Sequence, residues 1–140
     1  MDTPLRILVV EDIGNKTSLR YHLPISNNHS LYFLPGSSDL NESARSNIAA
    51  AARRLKAIPT LRASLVAYTD ALEDSEYGDK LRRARAMTVS DALAALGVAL
   101  HRISITDSND QEHGKALCTS EYCRQSYRRV RVEFSRSPGK

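Results

Sequence analysis

Asp70 and Arg85 are the two charged residues whose positions in the sequence suggest a binding site. Asp70 follows a strand predicted over residues 63–68, and ligands in open α/β sheets bind beyond the carboxyl ends of strands. Arg85 falls on the apolar stripe of a predicted helix, where an unpaired charge would be very costly. Because helical side chains lean toward the N-terminus, we expect Arg85 to point back toward Asp70.

A carboxylate and a guanidinium held apart over one pocket suit a zwitterionic ligand. The Asp70 carboxylate would accept hydrogen bonds from an ammonium group, and the planar Arg85 guanidinium would bind a carboxylate through two hydrogen bonds. The alternative is a purely structural salt bridge between the two side chains.

The two cysteines, Cys118 and Cys123, lie close together in a polar stretch. Taken alone, they are compatible with two reduced thiols or with a disulfide, which would indicate an oxidising compartment. A zinc site that adds His101 and His113 is a third alternative, although the spacing fits no common zinc pattern. The sequence contains no supported Ser-His-Asp arrangement, no glycine-rich phosphate loop and no metal cluster, so we predict a protein that is not an enzyme and uses no cofactor or metal.

The elements that position these residues alternate between strands and helices. The first helix is predicted to begin after an N-cap at Asn41, and the second to end before Gly97, a residue suited to a left-handed cap. The predicted elements are a strand at 30–33, a helix at 41–57, a strand at 63–68, a polar loop at 73–76, a helix at 77–96, a strand at 103–105, a polar loop at 106–126, a strand at 129–134 and a disordered tail at 135–140. This order predicts an α/β (α+β) fold of two layers, with the helices packed on one sheet.

Apolar residues at helical or alternating spacing indicate which faces turn toward the core. The predicted inward positions are Ala44, Ile48, Ala51, Leu55 and Ile58 in the first helix, Leu81, Arg85, Val89, Ala92 and Leu96 in the second, and Val130, Val132 and Phe134 in the last strand.

Length and composition indicate one soluble globular domain. The chain has 140 residues, of which 41% are hydrophobic and 26% charged, with a formal net charge of +4. No apolar run approaches the ~20 residues that span a bilayer. The aliphatic run at residues 7–10 is too short for the core of a signal peptide, so we expect either a cytosolic protein or a sequence whose export signal has been removed.

Several short motifs, in order, resemble one family of envelope domains. The motifs are Tyr68-Thr69-Asp70, Leu81, Arg85-Ala86, Tyr127-Arg128-Arg129-Val130, Tyr32-Phe33, Gly36-Ser37, Leu40, Gly97-Val98 and Arg102-Ile103. Together they resemble the OmpA-like peptidoglycan-binding family over about residues 28–135. The pair Cys118 and Cys123 is similar to a disulfide loop found in many members, so the resemblance implies a disulfide.

The resemblance implies a two-layer sandwich of order β-α-β-α-β-β, with a mixed sheet and the helices on one face. It also implies non-covalent binding of the peptidoglycan stem peptide, usually at diaminopimelate, in the periplasm or cell envelope. Asp70 would hold the amine and Arg85 the carboxylate. Thr69 would line the pocket through its backbone and hydroxyl, and Arg128 would approach the rim; a strand-end residue and a solvated arginine are their respective alternatives.

The resemblance further divides the chain and suggests its partners. The resemblance places the OmpA-like domain at residues 28–135 and leaves residues 136–140 as the tail. Residues 1–27 precede the domain, and their short apolar run followed by a polar stretch predicts a lead-in of one possible extra strand at an edge and a loop. The expected partner is peptidoglycan, with other envelope proteins as further partners, and neither nucleic acid nor a transmembrane segment is expected.

Four positions depart from the family pattern. Gly78 replaces a pocket-lining Asn, Glu73 replaces a Gly and adds a negative charge near the site, and Tyr127 replaces the Asn before the Arg-Arg pair. Residues 106–108 replace a glycine-containing turn. Glu73 and Gly78 motivate a second interpretation, in which a degenerate OmpA-like module serves as a protein-interaction domain of an envelope machine.

Two other classes of protein have weaker support. Residues 5–12, which end in Glu11-Asp12, resemble the start of a response-regulator receiver domain, but the required mid-chain Asp and late Lys are missing. A nucleic-acid-binding domain is suggested only by many arginines spread over several elements, without the aromatic cluster that base stacking needs. Those arginines are Arg53, Arg54, Arg82, Arg83, Arg128, Arg129 and Arg131.

Overall fold

A computed structural model of the chain describes residues 6–13, 16–22, 30–107 and 118–136, with backbone alone for the first two ranges, for residues 75–76 and for residue 107. The first two ranges are β1 (Arg6–Ile13) and β2 (Lys16–His22), which form an antiparallel two-stranded sheet of their own. The sequence predicted one strand and a loop here. Because Glu11 and Asp12 lie in an antiparallel hairpin, the structure does not support the receiver-like interpretation.

The main sheet has four strands and mixed directions, which confirms the predicted fold class. Its strands are β3 (Ser30–Tyr32), β4 (Leu61–Ala67), β5 (Ile103–Asp107) and β6 (Arg129–Arg136), in the order β3-β6-β4-β5. β4 and β5 run parallel, whereas β6 runs antiparallel to both β3 and β4. β6 also includes Ser135 and Arg136, which the sequence assigned to a disordered tail; residues 137–140 lie outside the described residues.

Helix α1 (Glu42–Ala57) forms as the sequence predicted. The Asn41 side chain accepts a hydrogen bond from Ala44 N at 2.8 Å, which caps the first turn. Glu42 lies in that turn, where the helix dipole favours an acidic residue.

Helix α2 (Ala71–Ala95) begins earlier than predicted. Its N-cap is Asp70, and Glu73 closes a capping box with it. The polar stretch after Asp70 was predicted to be a loop, and this prediction is wrong because an acidic N-cap with Glu at the third helical position favours a helix start. Non-helical dihedral angles at Tyr77 (φ −158°, ψ 36°) produce a kink that divides the first turns from the rest of α2.

Both helices pack on one face of the main sheet and enclose a single core. Leu93, not Leu96, fills the last inward position of α2, and Leu96 remains 43% exposed. Gly97 has a φ of +97° and ends the helix as predicted. The core consists of Leu31, Phe33, Ala44, Ile48, Ala52, Leu55, Leu61, Ala63, Leu65, Ala67, Ala86, Val89, Leu93, Val98, Val130 and Val132.

A short helix, α3 (Glu121–Gln125), lies within the stretch predicted to be a polar loop. Ser120 caps it by accepting a hydrogen bond from Cys123 N at 3.1 Å. Cys118 and Cys123 form a disulfide with a Cα–Cα distance of 5.4 Å, which confirms the pairing and removes the alternative of zinc-binding thiols. None of the described helices combines the length and the apolar character that crossing a membrane requires.

Candidate functional site

Asp70 lies where the chain leaves β4 and enters α2, and its carboxylate is buried, with only 1% of the residue exposed. One oxygen, Oδ1, accepts a hydrogen bond from Glu73 N at 2.7 Å. The other, Oδ2, accepts one from Arg128 Nε at 2.5 Å. Asp70 therefore caps α2 and also neutralises a cation brought from the start of β6.

Arg85 is fully buried on α2, and all five of its N–H groups have acceptors. Nε donates to Ser37 O at 2.8 Å, and the two terminal nitrogens donate to Tyr68 O at 3.1 Å and Leu34 O at 3.2 Å. The remaining two N–H groups contact the two oxygens of Glu73, at 3.0 and 2.8 Å. Arg85 is thus a preorganised bidentate receptor for a carboxylate.

The Glu73 carboxylate is the group that occupies this receptor. Besides its two bonds from Arg85, Oε1 accepts from Asp70 N at 3.0 Å and Oε2 accepts from Gly36 N at 2.7 Å. These four donors match the roughly four acceptor positions of a carboxylate. Gly36 adopts a φ of +67°, a conformation that a residue with Cβ rarely takes, and this turn aims its N–H at Glu73.

Arg128 supplies the cation that pairs with Asp70, and it is likewise buried. Its terminal nitrogens donate to Glu121 at 2.5 and 2.8 Å and to Gln125 Oε1 at 2.7 Å. Burial alone would lower the pKa of Arg128, but its bonds to Glu121 and Asp70 outweigh burial and raise that pKa. Arg128 therefore keeps its positive charge inside the protein.

Helix α3 brings Glu121 and Gln125 to Arg128. The hydrogen bond from Arg128 lowers the pKa of the Glu121 carboxyl below its usual value and outweighs the opposing effect of burial. Gln125 also donates from Nε2 to Phe33 O at 2.8 Å, which connects α3 to the residue that follows β3. Sequence reasoning missed both residues, because five residues of helix are too few to show a periodic pattern.

Thr69 is buried, but its hydroxyl belongs to a second polar cluster. The hydroxyl donates to Asp74 Oδ1 through a short hydrogen bond and accepts from Arg82 Nη1 at 2.9 Å. Arg82 also forms salt bridges with Asp74, at 2.8 Å, and with Asp79. The Thr69 hydroxyl is therefore engaged inside the protein, and its contact with a ligand stays a prediction.

The structure brings Asp70, Arg85 and Arg128 together but corrects the expectation of an open cleft. Asp70 and Arg85 do not pair with each other directly; Glu73 lies between them and bonds to both. All four side chains are 5% exposed or less. The signal that identifies Glu73 in the sequence is its capping-box spacing, three residues after Asp70.

An open cavity exists on a different part of the surface. It has a volume of about 360 Å³ and lies between α2 and β5, bordered by Arg83, Ala86, Met87 and Ile105. None of Asp70, Glu73 or Arg85 lines it. Within the described ranges, no three His, Cys, Asp or Glu side chains are placed to hold a metal ion.

Comparisons with known proteins agree on one family. The model of the OmpA family matches residues 32–126. No curated protein matches the sequence. Among solved structures, the peptidoglycan-associated lipoprotein from Burkholderia pseudomallei is similar, with a TM-score of 0.67 and 25% identity over 76% of this chain and 90% of that one.

Two further structures share the fold. The periplasmic domain of MotB from Helicobacter pylori has a TM-score of 0.62 and 20% identity, over 77% of this chain and 71% of that one. The OmpA-like domain of FopA1 from Francisella tularensis subsp. tularensis SCHU S4 has a TM-score of 0.60 and 20% identity, over 94% of this chain and 80% of that one.

Proposed function

Because the chain belongs to the OmpA family, we propose that it is a cell-envelope domain that binds peptidoglycan without performing chemistry on it. The ligand is the stem peptide, at a residue that carries both an amine and a carboxylate, such as diaminopimelate. Arg85 receives the carboxylate and Asp70 receives the amine. The proposal assigns the domain to the periplasm, with other envelope proteins as further partners.

The carboxylate–guanidinium contact between Glu73 and Arg85 is the observation that carries this proposal. It supports the assignment because Arg85 holds a carboxylate through two hydrogen bonds with the geometry that a ligand would need. Asp70 likewise holds a cationic N–H donor, from Arg128. Each half of the proposed site therefore holds, within this chain, a group of the same charge as the one that it would bind in the ligand.

Thr69 and Arg128 are proposed to border the bound ligand. Because the Thr69 hydroxyl is engaged with Asp74 and Arg82, its contribution would come from the backbone. Arg128 shares Asp70 with the incoming amine and keeps its own charge balanced by Glu121.

A second candidate function is a protein-interaction module that binds no stem peptide. The observation that favours it is the burial of all four charged side chains in mutually satisfied pairs. Under this alternative, the four charged side chains only stabilise the fold, and any partner would bind a different surface. These side chains are Asp70, Glu73, Arg85 and Arg128.

Retention on purified peptidoglycan sacculi distinguishes the two functions. We expect the wild type to be retained, and both Arg85→Lys and Asp70→Asn to lose most of the retention. Lys keeps the charge of Arg85 without its bidentate geometry, and Asn keeps the helix cap without the charge of Asp70. Arg53→Lys, at an exposed position on α1, is the matched control and should behave like the wild type. No retention of the wild type, or equal retention of all variants, would favour the protein-interaction module.

A further inference from the structure

We propose that Glu73 is an intramolecular competitor of the ligand. Its carboxylate occupies the carboxylate receptor formed by Arg85 and must be displaced before a ligand binds. This inference rests on the proposed function of the site and adds its regulation. Glu73 would then set both the affinity and the choice of ligand, because only a ligand that replaces its carboxylate gains access to Arg85.

The carboxylate half of the site, at Arg85, and the cation half, at Asp70, differ in how many further hydrogen bonds they can form. The carboxylate half is complete: Glu73 takes two N–H groups of Arg85 as well as the backbone N–H groups of Gly36 and Asp70. The cation half is incomplete, because the Asp70 carboxylate accepts only two hydrogen bonds from described residues, out of roughly four that it can accept. Asp70, which is 1% exposed, therefore keeps acceptor positions for an amine once the site opens, whereas a carboxylate can reach Arg85 only by exchange.

Replacement of the Glu73 carboxylate by a ligand carboxylate is the only way to free Arg85 at a small cost in free energy. If Glu73 left without a replacement, Arg85 would remain buried with three carbonyl groups and no counter-charge, which is strongly unfavourable. A ligand without a carboxylate would meet this full cost. A ligand carboxylate would restore the charge balance, so Glu73 discriminates against ligands that carry only an amine.

The position of Glu73 in α2 allows it to move without moving Arg85. Glu73 lies in the first turn, before the kink at Tyr77, whereas Arg85 lies after the kink in the segment that packs against the core. Unwinding of the first turn would withdraw Glu73 and break its bond to Gly36. The apparent affinity of a ligand is then reduced by the fraction of molecules in which the receptor is vacant.

Isothermal titration with a stem tripeptide that ends in diaminopimelate tests this inference. We expect Glu73→Ala to bind the tripeptide at least about tenfold more tightly than the wild type, a change of about 1.4 kcal/mol, and Glu73→Gln to show a smaller gain. The double variant Glu73→Ala/Arg85→Lys should lose the gain. Asp91→Asn removes an exposed negative charge from the same helix and should leave the affinity unchanged.

A second measurement uses the wild type, so its result does not depend on whether the Glu73 variants fold. The 13C signal of the Glu73 carboxyl should shift when the tripeptide is added, because the carboxylate leaves Arg85. The inference would be overturned if the tripeptide binds in a way that requires Arg85, but the Glu73 carboxyl signal does not shift and neither Glu73 variant binds more tightly than the wild type. The proposed function would remain intact in that case. Equal binding by Glu73→Ala and the double variant, or no binding by any form, would overturn the proposed function itself.

Discussion

Arg128 donates a hydrogen bond to Asp70 at 2.5 Å across 58 residues of sequence, and both side chains are only 2% exposed. This contact joins the start of β6 to the N-terminus of α2. The proposed binding site is therefore also a structural junction, and substitutions in it should affect stability as well as binding.

Substitutions at Asp70 should separate its helix-capping role from its charge. Asp70→Ala removes the cap and leaves Arg128 short of one carboxylate, so we expect it to lower the free energy of unfolding by about 3 kcal/mol. Asp70→Asn keeps the cap and should be less destabilising by about 1 kcal/mol. Urea unfolding measures both values. If both variants fell within about 0.5 kcal/mol of the wild type, the contact would contribute no stability.

The ion pair between Glu121 and Arg128 should make stability depend on pH. Because the pKa of Glu121 is lowered in the folded state from its usual value of 4.5, its contribution is present above that value and is lost as the pH falls through the folded-state pKa. We expect Glu121→Gln to be less stable than the wild type by about 1 kcal/mol near neutral pH. The difference should shrink below pH 4.5 in urea unfolding at a series of pH values, and a constant difference would contradict the prediction.

Reduction of the Cys118–Cys123 disulfide should loosen α3 and weaken the support of Arg128. The bridge closes a short loop, with a sequence separation of 5, and such a loop contributes about 2 kcal/mol in the chain-entropy account. We therefore expect a lower melting temperature after reduction, measured by circular dichroism. The double variant Cys118→Ser/Cys123→Ser should melt like the reduced wild type and should not respond to the reductant.

Alanine at Gly36 should be more harmful than alanine at Gly97. Both glycines have positive φ values, of 67° and 97°, so each substitution should cost about 1–2 kcal/mol from backbone strain. A Cβ at Gly36 would also lie 3.0 Å from Tyr77 Oη, whereas at Gly97 its nearest neighbour is Lys56 Nζ at 3.6 Å. Thermal unfolding should rank Gly36→Ala below Gly97→Ala, and an equal loss would show that the contact with Tyr77 is unimportant.

Sequence patterns predicted the elements that depend on local chemistry. The cap at Asn41 and the end of α2 at Gly97 follow from the preferences of single residues for particular backbone conformations. Arg85 was identified because a charge on an apolar stripe requires a partner. In the structure, Arg85 is fully buried and all of its N–H groups are hydrogen-bonded.

The burial of the site could not be predicted from the preferences of single residues. Three of the acceptors of Arg85 are backbone carbonyls, at Leu34, Ser37 and Tyr68, and backbone groups leave no signature in a side-chain pattern. Glu73 was recognised only as an added negative charge, because the acidic stretch around it was interpreted as a loop. Its contact with Arg85 depends on the start of α2, which tertiary contacts to Gly36 help to stabilise.

Arg85 and Asp70 are proposed to form the ligand-binding site, and NMR of the arginine side chains can observe ligand binding there without any substitution. Titration of the 15N-labelled wild type with the stem tripeptide should shift the Arg85 Nε–H signal and the backbone N–H signals of Gly36 and Asp70. The Gly97 signal should stay in place. Shifts confined to residues around Met87 and Ile105, at the cavity beside β5, with the Arg85 signal unmoved, would show that the ligand binds elsewhere and that Arg85 and Asp70 are not its site.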